Sequence, residues 1–173
     1  MKKIVLVIGG CKSGKSRYAL ERVDRLAVRH KIFIATSVPF DDEMKDRIDR
    51  HRDERGSDWE TVEAPDRLAD AIQSNSGDDR GLLVDCLTLW INNLLMASTD
   101  EKVLQPRVTE LAETLEQVDG PIYLVSNEVG AGIVPQNPLA RQFRDLAGSV
   151  NQAIASMADE VVWLVAGIPV KIK

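Results

Sequence analysis

One stretch near the amino terminus decides the fold of this chain, and it reads Ile4-Val5-Leu6-Val7-Ile8-Gly9-Gly10-Cys11-Lys12-Ser13-Gly14-Lys15-Ser16. Its apolar half predicts a buried β-strand, and its second half has the spacing G-x-x-x-x-G-K-S. In this pattern successive backbone N–H groups can face one point, where Lys15 adds a positive charge and Ser16 can ligate Mg²⁺. A helix beginning near Lys15 directs its positive dipole end to the same place. We therefore expect a nucleoside triphosphate to bind here; a chance glycine turn is the less favoured alternative.

Apolar runs alternate with helical patterns along the rest of the chain. Further strands are predicted at Lys31–Thr36, Leu82–Asp85, Pro121–Val125 and Glu160–Val165. Helical patterns cover Asp66–Ser74, Thr88–Ala97 and Val108–Val118, and a last helix begins at the cap Asn137 with Pro138 in its first position. Gly167 and Pro169 predict a turn into a short antiparallel edge strand. The fold class is therefore α/β: a P-loop NTPase-like three-layer fold, with a mostly parallel sheet and helices on both faces.

The composition agrees with a single domain spanning residues 1–173. The chain is 44% hydrophobic, which is enough to build a sizeable core at this length. Its net charge is -5, whereas proteins that bind nucleic acid usually carry an excess of basic residues. The longest apolar stretch, Gly81–Ala97, is interrupted by polar residues, and the amino terminus does not resemble a cleavable signal. We expect a cytoplasmic protein with no nucleic acid partner and no membrane insertion.

The two cysteines and one acidic residue follow predicted strands at the same edge of the sheet. Cys11 lies in the phosphate loop and Cys86 follows the strand ending at Asp85. We interpret both as free thiols in a reducing compartment, and a redox pair is the less favoured alternative. An acid that ends an apolar strand beside a phosphate loop can hold Mg²⁺, directly or through water. Many strands end in aspartate, so the assignment of Asp85 depends on the loop beside it.

The charged segment Asp41–Asp58 contains one histidine whose spacing is informative. Met44, Ile48 and His51 lie at i, i+4 and i+7, so on a helix they share one face. Spacing alone favours a boundary histidine packed against its neighbours over a catalytic one. His30, which precedes the second strand, is interpreted as a helix-end residue.

Six groups of residues together resemble one known family over essentially the whole chain. They are Gly9–Arg17; Ala35-Thr36-Ser37; Asp42-Glu43-Met44 with Arg47-Ile48 and Arg50-His51-Arg52; Val84-Asp85-Cys86-Leu87-Thr88; Ser126-Asn127-Glu128-Val129-Gly130 with Gly132-Ile133-Val134-Pro135; and Leu139-Ala140-Arg141 through Phe143-Arg144-Asp145 to Asn151-Gln152. The family is the bifunctional adenosylcobinamide kinase/adenosylcobinamide-phosphate guanylyltransferase of cobalamin biosynthesis. The most specific matches are the Asn-Glu-Val-Gly stretch and the Arg-x-His-Arg segment. Cys11-Lys12 stands where the family more usually has Ala-Arg, and Gly56 where it often has proline.

The resemblance implies two reactions. ATP or GTP phosphorylates adenosylcobinamide, and GTP then passes GMP to the product through a covalent GMP adduct on His51, with Lys15 acting on the phosphates. It also implies further nucleotide contacts at Thr36, Ser37 and Val38, at Arg52, Asp53, Glu54 and Arg55, and at Glu63 and Asp85. It implies Mg²⁺ at Ser16 and Asp85, and a homotrimer.

Several of these assignments have structural alternatives that the sequence leaves open. Thr36 and Ser37 could cap a helix, Arg52 and Arg55 could pair with nearby acids, and Glu63 could be a surface carboxylate. Two other functions also stay open, namely another P-loop small-molecule kinase and a nucleotide-dependent switch. The chain has no Asn-Lys-x-Asp motif for reading guanine, which disfavours a Ras-like switch.

Overall fold

The computed structural model describes residues 2–38 and 55–173, and within them the chain forms one central sheet. Its strands are β1 (Lys3–Gly9), β2 (His30–Ala35), β3 (Trp59–Glu63), β4 (Arg80–Asp85), β5 (Pro121–Asn127), β6 (Glu160–Val165) and β7 (Ile168–Lys171). Their order across the sheet is β3-β2-β4-β5-β1-β6-β7. Every neighbouring pair is parallel except β6 and β7, which run antiparallel. The prediction of a mostly parallel sheet, with an antiparallel edge strand formed by the last strand of the chain, is confirmed.

Helices cover both faces of this sheet, which confirms the predicted three layers. The described helices are α1 (Lys15–Asp24), α2 (Leu68–Asn75), α3 (Leu87–Ala97), α4 (Glu101–Gln117) and α5 (Pro138–Met157). On one face, Ala19 and Val23 of α1 pack against alternate residues of the central strands. On the other face, α2, α3, α4 and α5 build the larger core. The strands are buried on both sides, and this is why they read as continuous apolar runs.

The two longest helices illustrate which sequence signals are reliable. Helix α5 begins as predicted, with the Asn137 Oδ1 accepting the Ala140 N–H at 3.1 Å and Pro138 in the first position. Helix α4 was expected over 108–118 but begins at Glu101, and Pro106 lies inside it. Asp100 caps this earlier start by accepting the Lys102 N–H at 2.9 Å. The predicted helix was therefore too short: the observed one continues through Pro106, a residue type that usually ends or kinks a helix, back to the cap at Asp100.

Strand β3 was not predicted at all. Within residues 2–38 and 55–173 it pairs with β2 alone and forms one edge of the sheet, and three of its five residues are exposed. An edge strand with little buried surface lacks the apolar run that marks the central strands. The predicted face formed by Met44, Ile48 and His51 lies outside the described residues. Among the described helices, none has the length and apolar character needed to cross a bilayer.

Candidate functional site

The carboxyl ends of six parallel strands meet at one edge of the sheet. The β-ladder pairs Glu63 with Ala35 and Ala35 with Asp85, while Gly9 pairs with Asn127. The predicted site residues on β1, β2, β3 and β4 therefore come together along this edge, where α/β proteins bind their ligands. His51, Arg52, Asp53 and Glu54 lie outside the described residues.

The phosphate loop connects β1 to α1 through backbone conformations that favour glycine. Gly14 has φ +92° and Lys12 has φ +53°, and the Ser13 N–H donates to the Gly10 carbonyl at 3.3 Å. The Tyr18 N–H then donates to the Gly14 carbonyl at 2.9 Å and begins the helix. The loop therefore ends at the amino terminus of α1, where unpaired backbone N–H groups and the helix dipole attract anions.

Lys15 folds back over this loop. Its Nζ donates to the Gly10 carbonyl at 2.6 Å and lies 3.5 Å from the Ser13 Oγ. The side chain is only 7% exposed, so the ammonium is held against the loop. An ammonium in this position can contact an anion bound in the loop, because a phosphate oxygen is a stronger acceptor than a carbonyl.

Gly9 is required by close packing rather than by phosphate contact alone. A Cβ at this position would lie 2.5 Å from the Leu164 carbonyl oxygen and 2.7 Å from the Ser13 Oγ. The turn between β6 and β7 supports the loop from the same side, since the Gly167 N–H donates to the Ser13 carbonyl at 3.1 Å. The hairpin that ends the sheet thus helps to fix the loop.

Ser16 and Asp85 provide the oxygen donors expected for Mg²⁺. Both side chains are half-buried at the same sheet edge, and in residues 2–38 and 55–173 neither makes a side-chain hydrogen bond. A hydroxyl and a carboxylate are hard ligands, which suit a cation that keeps several waters and binds phosphate. The donor set therefore fits Mg²⁺. The described residues hold no group of three or more histidine, cysteine or acidic side chains that could bind a metal without substrate oxygens.

Thr36 is buried and connects the ends of β2 and β4. Its hydroxyl accepts the Cys86 N–H and donates to the Cys86 carbonyl, each at 2.8 Å. The Asn93 Nδ2 donates to the carbonyls of Thr36 at 2.8 Å and Pro65 at 2.9 Å, tying α3 to both segments. After Thr36, Ser37 is half-buried and Val38 is exposed. A nucleotide contact by any of these residues stays a prediction, as it does for the exposed Glu63.

Arg55 lies against an aromatic pair at the β3 edge. Its guanidinium carbon is 3.6 Å from the centre of the Phe33 ring, and Trp59 meets that ring edge-on at 6.5 Å. Beside it is an open cleft of about 320 Å³ lined by Arg55, Gly56, Ser57, Trp59 and Thr61. The stacking fixes the planar guanidinium by a cation–π contact. In the sequence Arg55 follows His51, the candidate nucleophile, by four residues.

The cysteines are free thiols, as predicted, but their surroundings differ. Cys11 is exposed and Cys86 is buried. Burial raises the pKa of Cys86 to about 11, and the negative charge of Asp85 adds to this effect. Cys86 therefore stays protonated near neutral pH and is a poor nucleophile.

A polar network at the end of β5 was not given a role from sequence. The Thr88 Oγ1 accepts from the Asn127 backbone N–H at 3.3 Å and from its Nδ2 at 3.2 Å. The Asn151 Nδ2 donates to the Asn127 carbonyl at 3.2 Å, which brings the middle of α5 to this edge. Thr88 and Asn127 follow buried strands, and that placement is the signal that could have drawn attention to them.

Comparison with known proteins adds the family. The family model described as cobinamide kinase / cobinamide phosphate guanyltransferase, CobU, matches residues 5–172. The chain belongs to this family. Bifunctional adenosylcobalamin biosynthesis protein CobP of Pseudomonas aeruginosa is 43% identical over 171 residues, covering 97% of this chain and 96% of the relative. The corresponding CobU protein of Salmonella typhimurium is 40% identical over 182 aligned residues, covering 98% and 99%.

Solved structures of low sequence identity share the fold of this family member. The assembled ATPase EscN of the enteropathogenic E. coli type III secretion system superposes with a TM-score of 0.62 at 12% identity, over 95% of this chain and 43% of that chain. A prototypical type III secretion ATPase from pathogenic bacteria gives 0.58 at 11% identity, over 94% and 51%. Such identities carry the P-loop NTPase-like fold and nothing about substrate.

Proposed function

We propose that this protein catalyses two successive transfers in adenosylcobalamin biosynthesis. ATP or GTP phosphorylates the aminopropanol hydroxyl of adenosylcobinamide, and GTP then donates GMP to that phosphate, giving adenosylcobinamide-GDP and pyrophosphate. The observation that carries the proposal is the family match over residues 5–172, because it includes the phosphate loop, Asp85 and the His51 segment together. The relatives in Pseudomonas and Salmonella are themselves named bifunctional adenosylcobalamin biosynthesis proteins.

In the phosphorylation step, the loop and Lys15 hold the β- and γ-phosphates. The Lys15 ammonium exchanges its carbonyl contact with Gly10 for phosphate oxygens and neutralises charge as the terminal phosphoryl group leaves. Ser16 and Asp85 would hold Mg²⁺, which would supply further charge neutralisation on the phosphates when bound. The acceptor hydroxyl attacks the γ-phosphorus, the bond to the bridging oxygen breaks, and the hydroxyl proton passes to solvent or a nearby base.

In the guanylyl transfer step, we propose His51 as the nucleophile. Its neutral imidazole nitrogen attacks the α-phosphorus of GTP, a P–N bond forms, and the α–β bridging P–O bond breaks to release pyrophosphate. The same loop then stabilises the leaving group. A phosphate oxygen of the acceptor next attacks the α-phosphorus, and the electron pair of the P–N bond returns to the imidazole. Arg55, fixed on Phe33 beside this segment, is a candidate contact for nucleotide phosphate or base.

The covalent adduct provides the decisive test. The protein is incubated with α-labelled GTP and Mg²⁺, denatured, and assayed for label that is lost in acid and kept in alkali. We expect the wild type to be labelled and His51→Ala to be unlabelled. The chain offers a matched control, because its second histidine, His30, is exposed and lies 3.2 Å from the Glu60 Oε1 at the far end of β2. His30→Ala is expected to label normally.

Two outcomes would overturn this part of the proposal. Absence of label in a wild-type protein that demonstrably binds GTP would leave at most a kinase. Equal labelling of the His51→Ala variant would place the adduct on another residue. Consumption of ATP that is unaffected by added cobinamide would instead favour a nucleotide-dependent switch.

We further propose that the protein works as a cytoplasmic homotrimer built from single-domain subunits. Exposed apolar residues support an assembly, including Ile133 and Val134 after β5, which are 96% and 64% exposed. Trp163 and Ile168 on the terminal hairpin are also exposed and provide a second apolar surface.

A further inference from the structure

Buried polar atoms without hydrogen-bond partners are concentrated beside one strand end. Among the described residues these atoms are the Ser126 Oγ, the Arg144 Nη1 and the Asn151 Oδ1. Ser126 is fully buried as the penultimate residue of β5, and Asn151 is 8% exposed and bonded to the next residue, Asn127. Native proteins pair nearly all buried polar groups, so such a cluster indicates a missing partner, either water or a ligand.

Arg144 is the charged member of this cluster, and hydrogen bonds connect it to the phosphate loop. Its Nη2 donates to the Gly130 carbonyl at 2.7 Å. The Gly130 N–H donates to the Glu128 Oε1 at 2.7 Å, and the Glu128 N–H donates to the Gly9 carbonyl at 3.0 Å. In the part of the chain that the structure describes, no carboxylate forms an ion pair with the Arg144 guanidinium. The guanidinium is therefore linked to Gly9 through three successive hydrogen bonds, and it has one neutral acceptor and one unused donor edge.

The chemistry of this cluster suits a phosphomonoester. A guanidinium binds phosphate with two parallel N–H donors, which leaves the third phosphate oxygen of a monoester for reaction. Gly130–Val134, the exposed segment over the guanidinium, contributes only a carbonyl to it. A small displacement of that segment would open the unused Nη1 to a ligand. The loop and Lys15 already account for the nucleotide phosphates, so this position is available for a phosphate on the acceptor.

We propose that Arg144 binds the phosphate of the acceptor in the second transfer step, an inference that rests on the proposed function. Two of the acceptor's phosphate oxygens contact the Nη1 and Nη2 edge, while a third attacks the α-phosphorus of the guanylylated histidine. A P–O–P bond forms, the P–N bond breaks, and its electron pair returns to the imidazole. The hydroxyl acceptor of the first step carries no such charge, so the two acceptors depend on Arg144 to different extents.

The experiment measures discharge of the preformed, labelled enzyme. Wild type and Arg144→Gln are guanylylated with α-labelled GTP, freed of nucleotide, and mixed with increasing cobinamide phosphate. Glutamine keeps a donor for the Gly130 carbonyl but removes the charge. We expect the acceptor concentration for half-maximal discharge to rise about 10- to 100-fold, as for loss of a charge-assisted hydrogen bond. This fold-change is expected to be about tenfold or more larger than the fold-change that Arg144→Gln causes in the rate of cobinamide phosphorylation.

Arg141 provides the matched control, because it lies one turn earlier on α5 and contacts the chain just after the Gly130–Val134 segment. Its Nη1 donates to the carbonyls of Gln136 at 2.6 Å and Pro135 at 3.2 Å, and the residue is exposed. Arg141→Gln is expected to discharge like wild type. Arg144→Lys keeps the charge but not the planar fork, so its loss should lie between those of wild type and Arg144→Gln.

The outcomes separate this inference from the proposed function. A wild type that never becomes labelled would refute the proposed function itself. A wild type that labels, with normal discharge in Arg144→Gln, would refute the role of Arg144 alone. If Arg144→Gln and Arg144→Lys raise the half-maximal acceptor concentration equally, the role of Arg144 is structural and the inference is overturned. The same holds if Arg144→Gln impairs both transfer steps equally. If Arg144→Gln fails to fold, Arg144→Lys decides the question through a rise in half-maximal acceptor concentration that Arg141→Lys lacks.

Discussion

The two ends of the parallel strands use their polar groups differently; the end where the strands begin is called the amino-terminal edge, and the end where they finish is called the carboxyl-terminal edge. At the amino-terminal edge, the Glu160 carboxylate lies 3.2 Å from the Lys3 Nζ and 3.3 Å from the Arg22 Nη1. The neighbouring Asp159 carboxylate accepts the Ile4 N–H at 2.7 Å. At this edge the charges are paired with protein groups, and the pairing fixes where β1 and β6 begin.

At the carboxyl-terminal edge, polar groups are left for something else to bind. Ser126, Arg144 and Asn151 each have a buried polar atom without a partner in the described residues. Such atoms destabilise a fold unless a ligand or water satisfies them, so their concentration at one edge supports the proposal that ligands bind there. The comparison predicts that substitutions at the two edges separate activity from stability.

The largest expected effect is on activity at the carboxyl-terminal edge. Lys15→Ala removes the buried ammonium that contacts Gly10, and we expect both transfer rates to fall by about 10³-fold or more, since transition-state charge loses its main side-chain partner. The cost of burying the ammonium away from water offsets the stability that its hydrogen bond contributes, so the midpoint of thermal unfolding should change little. Initial rates with saturating acceptor, together with thermal melting, check this prediction.

Lys12 provides the control in the same loop. It is exposed and its side chain forms no hydrogen bond or ion pair among the described residues, so Lys12→Ala should lower both rates by less than about tenfold. A large drop in the melting midpoint of Lys15→Ala would contradict the proposed division between the two edges.

The next effect is on stability at the amino-terminal edge. Gly120 precedes β5 with φ +88°, and a Cβ there would lie 2.1 Å from the Gly77 carbonyl oxygen. Gly120→Ala is expected to destabilise the fold by about 3 kcal/mol, because the backbone of one of the two segments must move. That corresponds to a drop of roughly 6 to 12 °C in melting temperature. Turnover measured well below the melting midpoint should stay near the wild-type value.

Gly148 in α5 is the matched glycine. A Cβ there has no atom within 4 Å, so Gly148→Ala should stabilise the protein by about 0.5 to 1 kcal/mol through a less flexible unfolded chain. Equal destabilisation in both glycine variants would refute the packing argument at Gly120.

Most of the fold could be predicted because its central strands are buried on both sides. Runs such as Ile4–Ile8 are apolar for that reason. The loop that follows β1 has the spacing G-x-x-x-x-G-K-S, which predicts a phosphate loop between a strand and a helix. Strand β3 could not be predicted, since it forms an edge and exposes most of its side chains. The early start of α4 could not be predicted from local pattern, since a proline such as Pro106 is disfavoured in a helix interior and tertiary packing retains it there.

The candidate site was predictable only where chemistry follows local sequence. Gly9–Ser16 form a continuous motif, and Asp85 ends a recognisable strand, so both could be named. Arg144 could not be assigned a role, because its significance depends on the Gly130 carbonyl and on a strand that ends 17 residues earlier in the chain, at Asn127. Only the tertiary arrangement brings such a residue to this strand end.

The smallest predicted effect tests the ion pairs of the amino-terminal edge through pH. Burial alone would raise the pKa of Glu160, but hydrogen bonds from Lys3 and Arg22 and their positive charges outweigh it, so the pKa is lowered. A lowered pKa stabilises the folded state above the unfolded value of about 4.3, and this stabilisation is lost as pH falls through the folded value. Glu160→Gln should therefore reduce the free energy of unfolding by on the order of 1 kcal/mol at pH 7, and the gap from wild type should close as pH falls below about 4. Urea unfolding at several pH values measures this gap, with Glu113→Gln, an exposed substitution on α4, as the control. A gap that stays constant down to pH 3 would mean that Glu160 stabilises β6 by packing rather than by charge.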